Sequence, residues 1–187
     1  MSNISQTGTE GSMASAVYLN LGSKLNASSS SFTKMSAPDS CKFENSGVIV
    51  AEFAGSISLE NTSITNSDCT YVYSDRTPVK LDNSLFSSGL RKPYILVKGS
   101  SIEVKDTTFS DSVFDSISKG RGLSCIDCTY VDIVTSTFSG LKGYMGGALY
   151  LKDSNRVTLT KNTFLENEAR QRGGIYILNS DLVLSEN

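Results

Sequence analysis

The chain has 187 residues, of which 39% are hydrophobic and 19% are charged, and its formal net charge is -2. This apolar content is enough for a folded core, whereas 17 basic against 19 acidic residues form no basic surface for nucleic acid or an anionic membrane. The absence of His excludes His-dependent catalysis and His-ligated metals, and no apolar run approaches the roughly 18 residues of a membrane helix. We therefore expect no cofactor, no metal, no nucleic-acid partner and no membrane span.

A repeat runs along the chain and is centred on one large apolar position. Six residues occupy this position at intervals of 22 to 32 residues: Phe32, Ile64, Phe86, Phe109, Phe138 and Phe164. Two further apolar positions precede it by seven and by five residues: Leu25, Ile57, Val79, Ile102, Val131 and Val157, then Ala27, Leu59, Leu81, Val104, Ile133 and Leu159. The six segments align without a gap. A repeat of this length indicates a solenoid.

Each repeat contains two or three short strands of alternating polarity, and no window has helical periodicity. A second apolar segment recurs upstream, at residues 16–19, 48–51, 70–73, 93–96, 122–125, 148–151 and 175–178. Repeats with the same inward positions suit a parallel β-helix, whose turns stack at about 4.8 Å. The competing β-sandwich or propeller favours Asn-Gly or Asp-Gly hairpins, and neither dipeptide occurs.

The predicted fold is therefore an all-β parallel β-helix, or β-solenoid, of about 6–7 turns. We expect residues 16–187 to form a single domain that continues or stacks beyond both ends, and residues 1–15 to be an N-terminal extension or pairing segment. Two polar columns precede the repeated Phe. One is predicted to point inward at a corner: Ser30, Thr62, Ser84, Thr107, Ser136 and Asn162. Its neighbour, rich in Asn and Asp, is predicted to turn the corner in the left-handed conformation: Ser29, Asn61, Asn83, Asp106, Thr135 and Lys161.

An apolar stripe is predicted on the outside of the upstream strands. A solvated strand face should alternate to polar residues, but six of the seven residues expected to point outward are apolar: Tyr18, Val50, Val72, Ile95, Tyr150 and Ile177, with Ser124 among them. Either the loops at 33–47 and 110–121 cover this stripe, or it is a contact surface. We take it as the candidate interaction surface.

Four carboxylates are predicted to lie close together on another outer face: Glu60, Asp82, Glu103 and Asp132, with Lys80 and Lys105 between them. A pair of carboxylates is the machinery of glycoside hydrolysis. The alternative is cross-strand pairing of opposite charges on a solvated face. The intervening lysines and the lack of an aromatic platform favour this second interpretation.

The four cysteines allow three interpretations. Cys125 falls in an inward column, which favours a buried thiol over a redox or zinc role for Cys125-x-x-Cys128. A zinc site would have to recruit Cys41 and Cys69 from distant turns. These two cysteines lie in consecutive turns, so a mutual disulfide is a further hypothesis. Glycosylation sequons begin at Asn3, Asn26 and Asn61, and they matter only in a secreted eukaryotic protein.

The last two turns carry a recognisable motif. Gly146-Gly147-Ala148-Leu149 and Gly173-Gly174-Ile175, with Phe164-Leu-Glu-Asn167 between them, resemble the GGA-[ILV] and FxxN repeats of polymorphic outer-membrane-protein-like surface proteins. Those proteins belong to the right-handed parallel β-helix, or pectin-lyase-like, group. The resemblance implies a right-handed coil, a secreted or surface-displayed location, a role in adhesion and no cofactor.

Two functions remain in competition. The first is a non-enzymatic extracellular or cell-surface solenoid that acts as a rod, a filament building block or an adhesin stalk. Its partners would be copies of itself, adjoining solenoid segments, or a host-surface or glycan ligand. The alternative is a carbohydrate-active enzyme, a glycoside hydrolase or polysaccharide lyase, that uses the four carboxylates. The repeat and the missing catalytic residue types favour the first.

Overall fold

The computed structural model describes residues 5–7, 14–35, 45–113 and 118–187. Every regular element in these residues is a β-strand. In chain order the strands are β1 (Ser5–Thr7), β2 (Ala14–Asn20), β3 (Lys24–Ser28), β4 (Ser31–Thr33), β5 (Gly47–Glu52), β6 (Ser56–Glu60), β7 (Ser63–Thr65), β8 (Thr70–Asp75), β9 (Val79–Asp82), β10 (Leu85–Ser87), β11 (Ile95–Lys98), β12 (Ser101–Lys105), β13 (Thr108–Ser110), β14 (Leu123–Ile126), β15 (Tyr130–Val134), β16 (Thr137–Ser139), β17 (Lys142–Met145), β18 (Leu149–Lys152), β19 (Val157–Thr160), β20 (Thr163–Leu165), β21 (Glu168–Gln171), β22 (Ile175–Leu178) and β23 (Leu182–Ser185).

The strands form three parallel sheets that run along the coil axis, and each sheet has seven strands. Sheet 1 contains β2, β5, β8, β11, β14, β18 and β22; sheet 2 contains β3, β6, β9, β12, β15, β19 and β23; sheet 3 contains β1, β4, β7, β10, β13, β16 and β20. A small sheet 4 pairs β17 with β21. Each coil contributes one strand to each main sheet in turn, so the predicted parallel β-solenoid is confirmed.

The predicted apolar columns form the core of this coil. The phenylalanine column places Phe32, Ile64, Phe86, Phe109, Phe138 and Phe164 side by side along sheet 3. Consecutive rings stack, with centroids 5.3 Å apart for Phe86 and Phe109 and 4.6 Å apart for Phe109 and Phe138. Both apolar columns of sheet 2 also pair in the predicted register. Burial of these side chains supplies the main stabilising free energy of the fold.

The corner between sheets 2 and 3 has the predicted backbone conformation. Its six residues all have positive φ, between 44° and 54°: Ser29, Asn61, Asn83, Asp106, Thr135 and Lys161. Three of the six, Ser29, Thr135 and Lys161, are neither Asn nor Asp, so the corner selects a conformation more strictly than it selects a residue type. The left-handed residue turns the chain sharply between two strands, and this repeats on every coil.

The next residue at each corner forms a hydrogen-bonded ladder. The N–H of Thr107 donates to Ser136 Oγ (3.2 Å), that of Ser136 to Asn162 Oδ1 (2.9 Å), and that of Asn162 to Asn187 Oδ1 (2.9 Å). The Asn162 and Asn187 amides also donate to the carbonyls of Ile133 and Leu159. The inward position and the need for partners in neighbouring turns are thus confirmed, and one polar side chain per coil links each coil to the one before it.

The predicted register of sheet 1 is wrong in three coils. Val72 and Ile95 lie one residue away from their expected position, in the inward column that pairs Val17, Ile49, Val72, Ile95, Leu123, Leu149 and Ile175. Both are completely buried. Ile177 is also inward, beside Leu151. Because side chains alternate between the two faces of a strand, a shift of one residue moves each of these three from the outside to the core.

Candidate functional site

The outer column of sheet 1 consists of Tyr18, Val50, Tyr73, Leu96, Ser124, Tyr150 and Tyr176. Of the predicted stripe, it retains Tyr18, Val50 and Tyr150. Val50, Tyr73 and Leu96 are buried and form a small apolar cluster separate from the main core. The loops expected over this column, 33–47 and 110–121, lie partly outside the described residues. Its role as an interaction surface stays a prediction.

The two ends of this outer column carry tyrosines with charged partners. At the N-terminal end, Tyr18 is 47% exposed and its hydroxyl donates to Glu52 at 2.8 Å. At the C-terminal end, Tyr150 and Tyr176 stack with centroids 5.3 Å apart, and Arg172 lies 5.1 Å from the Tyr176 ring. The Arg172 guanidinium also donates to the Tyr176 hydroxyl at 3.2 Å. These contacts restrict the side-chain conformations of Tyr18 and Tyr176.

The carboxylate face lies on sheet 2, and its four acidic residues sit in two rows across the strands. One row runs Glu60, Asp82, Lys105, and the other runs Lys80, Glu103, Asp132. Each adjacent carboxylate pair is therefore continued by a lysine on the neighbouring strand. Glu60 and Glu103 are exposed, and Asp82 and Asp132 are half-buried. Each row thus places two carboxylates side by side and one lysine beside them on an open strand face, whereas glycosidases enclose two carboxylates in different environments.

Cys125 and Cys128 are free thiols that are buried in the core. Burial, together with the adjacent Cys128, raises the pKa of the Cys125 thiol well above its usual value, so the reactive thiolate is disfavoured. The predicted buried thiol is confirmed, although its column contains Ser74, Val97 and Ile177 where the sequence alignment predicts Tyr73, Leu96 and Leu178. Among the described residues no group of three or more His, Cys, Asp or Glu is arranged to hold a metal ion.

Cys69 is buried and disulfide-bonded. Cys41 lies outside the described residues, so the Cys41–Cys69 pairing stays a prediction. Of the three sequons, Asn26 and Asn61 are exposed, and Asn3 lies outside the described residues. The Asn61 side chain accepts a hydrogen bond from Asn83 at 2.6 Å. Glycosylation at these positions also stays a prediction.

A buried polar cluster formed by Tyr71, Tyr94 and Arg121 was missed by the sequence analysis. The two tyrosine rings stack with centroids 4.7 Å apart, and their hydroxyls donate to the carbonyls of Ser87 and Ser110. Arg121 is fully buried, a rare position for arginine. Its guanidinium donates to the carbonyls of Gly89 and Lys92, both at 2.7 Å. The available signal is the flanking Gly120 and Gly122, which mark unusually close packing.

Alkaline pH should destabilise the protein through this cluster. Burial raises the pKa of Tyr94 to about 12 and raises that of Tyr71 as well, whereas an unfolded tyrosine titrates near 10. The unfolded chain therefore loses these protons first, so the stabilisation is complete below about pH 10 and declines as the pH rises towards about 12. We expect urea unfolding to show a loss of about 1.4 kcal/mol per pH unit per tyrosine in this range. A Tyr94→Phe variant should show a shallower slope; an unchanged slope would contradict this assignment.

The first glycine pair of the motif, Gly146-Gly147, lies at a position of close backbone approach. Gly146 has φ of 58°, and a Cβ on Gly147 would lie 2.3 Å from the carbonyl oxygen of Glu168 on the next coil. The Asn167 side chain provides hydrogen-bond partners for two backbone groups of the preceding coil. Its amide donates to Phe138 O (2.8 Å), and its Oδ1 accepts from Leu141 N–H (3.1 Å). The GGA-[ILV] and FxxN segments are therefore stacking devices of the coil.

Coiling of three parallel sheets around a core of stacked columns defines a parallel β-solenoid. The family model described as "right handed beta helix region" matches residues 46–187, about three quarters of the chain. The chain belongs to this right-handed β-helix family. No curated protein and no solved structure matches it. The family match covers the β-helix in general, so the resemblance to polymorphic outer-membrane-protein-like repeats stays a prediction. The described residues contain no apolar helix of membrane-spanning length.

Proposed function

We propose that this chain is a non-enzymatic structural β-solenoid, a rod that serves as a filament building block or adhesin stalk. The observation that carries the proposal is the continuity of the stacked columns. The polar ladder runs from Thr62 to Asn187 in consecutive hydrogen bonds, and ring stacking continues from Phe86 to Phe164. In a solenoid each coil contacts only the coils next to it, so the protein extends along one axis. This shape suits a spacer.

An extracellular or cell-surface location is part of this proposal. The disulfide-bonded Cys69 supports it, because structural disulfides persist in oxidising compartments. The resemblance of the Gly146-Gly147 and Phe164 to Asn167 segments to surface-protein repeats supports it as well. Exposure of the sequon residues Asn26 and Asn61 is compatible with a secreted protein. The partners would be copies of the chain, adjoining solenoid segments, or a glycan on a host surface.

The second candidate is a carbohydrate-active enzyme that uses the carboxylate face. It is favoured by one observation, the adjacency of Glu60 to Asp82 and of Glu103 to Asp132 on neighbouring strands. Neighbouring strands are about 4.8 Å apart, which is near the carboxyl separation of about 5–5.5 Å in retaining glycosidases. The lysine that follows each carboxylate pair on the neighbouring strand argues against it, because a positive charge at that position suits a solvated face of mixed charge.

A panel of neutral and acidic polysaccharides tests the proposal directly. The purified chain should release no reducing ends and no unsaturated products above the buffer blank. Asp82→Asn and Glu103→Gln would be assayed beside Asp127→Asn, an exposed carboxylate at a corner away from this face. Activity that Asp82→Asn or Glu103→Gln abolishes and Asp127→Asn retains would overturn the structural proposal in favour of the enzyme. Activity that survives all three would overturn it and also remove the proposed catalytic site.

A further inference from the structure

The corner between sheets 1 and 2 holds two cysteines inside one coil. Cys125 lies in the inward column of β14, and Asp127, with φ of 55°, turns the chain so that Cys128 also faces the core. Both side chains are buried in the same hydrophobic cluster. We propose that Cys125 and Cys128 join in a disulfide within this corner when the chain folds in an oxidising environment. This inference goes beyond the proposed structural role and does not depend on it.

The contacts of the two thiols place their sulfur atoms side by side. Cys128 Sγ lies 3.7 Å from the carbonyl oxygen of Val97 on the preceding coil, and Val97 is the residue that pairs with Cys125 in sheet 1. The Cys125 and Cys128 side chains are themselves in hydrogen-bonding contact. A disulfide requires two side chains that converge on one another, and this corner meets that requirement.

The equivalent corner of an earlier coil brings the same two positions together. Ser74 lies in the inward column of Cys125, and Thr77 follows the left-handed Arg76 as Cys128 follows Asp127. The Ser74 hydroxyl donates to the Thr77 carbonyl at 2.5 Å. The geometry of this corner therefore joins residues three apart in the chain on both coils.

Cys128 occupies a position at which other coils carry a hydroxyl. Thr77 Oγ1 accepts from the Ala54 N–H at 2.9 Å, Ser154 Oγ from the Cys128 N–H at 3.3 Å, and Ser180 Oγ from the Ser154 N–H at 3.0 Å. Sulfur is a weaker acceptor than a hydroxyl oxygen, so this ladder does not account for a cysteine at position 128. A covalent bond to the adjacent thiol accounts for it.

The oxidation needs an electron acceptor, which a glutathione-type disulfide supplies. One cysteine thiolate attacks the oxidant disulfide and displaces a thiolate, and the second cysteine thiolate attacks the resulting mixed disulfide and displaces the other. The two cysteines lose two protons and two electrons, and the oxidant is reduced to two thiols. Because burial disfavours the Cys125 thiolate in the folded coil, the exchange is fastest before the coil closes. The disulfide-bonded Cys69 supports oxidising conditions for this chain.

Peptide mapping of the whole chain after refolding in a glutathione redox buffer tests the inference. Trypsin cleavage after Arg121 and Lys142 releases residues 122–142, which contain Cys125 and Cys128 and no other cysteine. After treatment with iodoacetamide in denaturant, this peptide should be unmodified and lighter by two hydrogen atoms than the unmodified dithiol peptide. A peptide that is alkylated at both cysteines, or cross-linked to another peptide, overturns the inference.

The response of stability to a reductant gives a second readout. Closing this loop should raise the ratio of folded to unfolded chain about tenfold, so a reductant should lower the urea midpoint of the wild type. The matched control is Cys128→Ser, which cannot form the bond, carries the residue type of Ser154 on the next coil and retains Cys69. It should respond less to the reductant, and equal responses of the two proteins overturn the inference. Neither readout involves assembly or polysaccharide cleavage, so a failure here leaves the proposed function intact.

Discussion

Replacement of Arg121 by methionine is expected to lower the free energy of unfolding by about 3 kcal/mol or more. Methionine keeps much of the volume but donates no hydrogen bond, so the carbonyls of Gly89 and Lys92 lose the guanidinium donors that lie 2.7 Å away. Each hydrogen bond that a charged group donates contributes about 1.5–3 kcal/mol, although the Gly89 carbonyl keeps a second donor, the N–H of Val113 at 3.2 Å. Urea unfolding followed by far-ultraviolet circular dichroism measures the loss.

The control for this variant is Arg156→Met, which changes an exposed arginine of a later coil and should alter stability by less than about 0.5 kcal/mol. Arg121→Lys should give an intermediate loss, because one ammonium group cannot reproduce the fork that reaches both carbonyls. An Arg121→Met protein as stable as the wild type would show that the buried guanidinium does not tie these coils together.

Replacement of Phe109 by alanine is expected to cost about 3–5 kcal/mol. Phe109 is completely buried, and its ring stacks on both sides, against Phe86 at 5.3 Å and Phe138 at 4.6 Å. Truncation opens a cavity in the middle of the phenylalanine column, and the flanking rings are fixed by their own strands, so the site cannot collapse easily. Chemical denaturation measures this loss as well.

Phe164→Ala is the matched comparison, because it removes the same side chain at the end of the same column. Phe164 is half-buried and, among the residues that the structure describes, stacks on one ring, Phe138 at 5.1 Å. The expected loss is about 1–2 kcal/mol. Equal losses for the two variants would contradict the account of stability as a sum of contacts between neighbouring coils.

The sequence predicts correctly those columns in which apolar inward residues alternate with polar outward residues on every coil. The phenylalanine column and the two columns of sheet 2 are correct because each alternates strictly with polar residues, as in Ile57-Ser58-Leu59. The left-handed corner is correct because it lies at a fixed distance from the Phe. Period-2 alternation leaves only one register for such strands.

Sheet 1 is harder to predict because its middle strands are apolar on both faces. Tyr71-Val72-Tyr73 and Ile95-Leu96-Val97 offer no polar residue to mark the outside, since Tyr73 and Leu96 are themselves buried in the outer cluster. Strands buried on both faces read as continuous apolar runs, so periodicity cannot choose between two registers. This ambiguity produced the misplacement of Val72 and Ile95.

The glycine pairs explain the third register error. Matching Gly146-Gly147 to Gly173-Gly174 places Tyr176 opposite Leu149, whereas the strands pair Leu149 with Ile175 and Tyr150 with Tyr176. The glycine pairs themselves match, because the Gly147 N–H donates to Gly173 O at 3.1 Å and both Gly146 and Gly173 have positive φ. The shift of one residue therefore lies between the glycine pairs and the strands that follow them. Arg121 escapes prediction for another reason: its two carbonyl partners lie 29 and 32 residues upstream and present only backbone atoms, which leave no trace in the sequence.

The most direct test of the central claim, that this chain is a stacking structural rod, is electron microscopy of the purified protein at high concentration. Seven strands per sheet at about 4.8 Å give an axial length of about 34 Å for one chain. The account predicts straight filaments with an axial repeat near that length and a uniform width. Discrete particles of one chain at every concentration would contradict it.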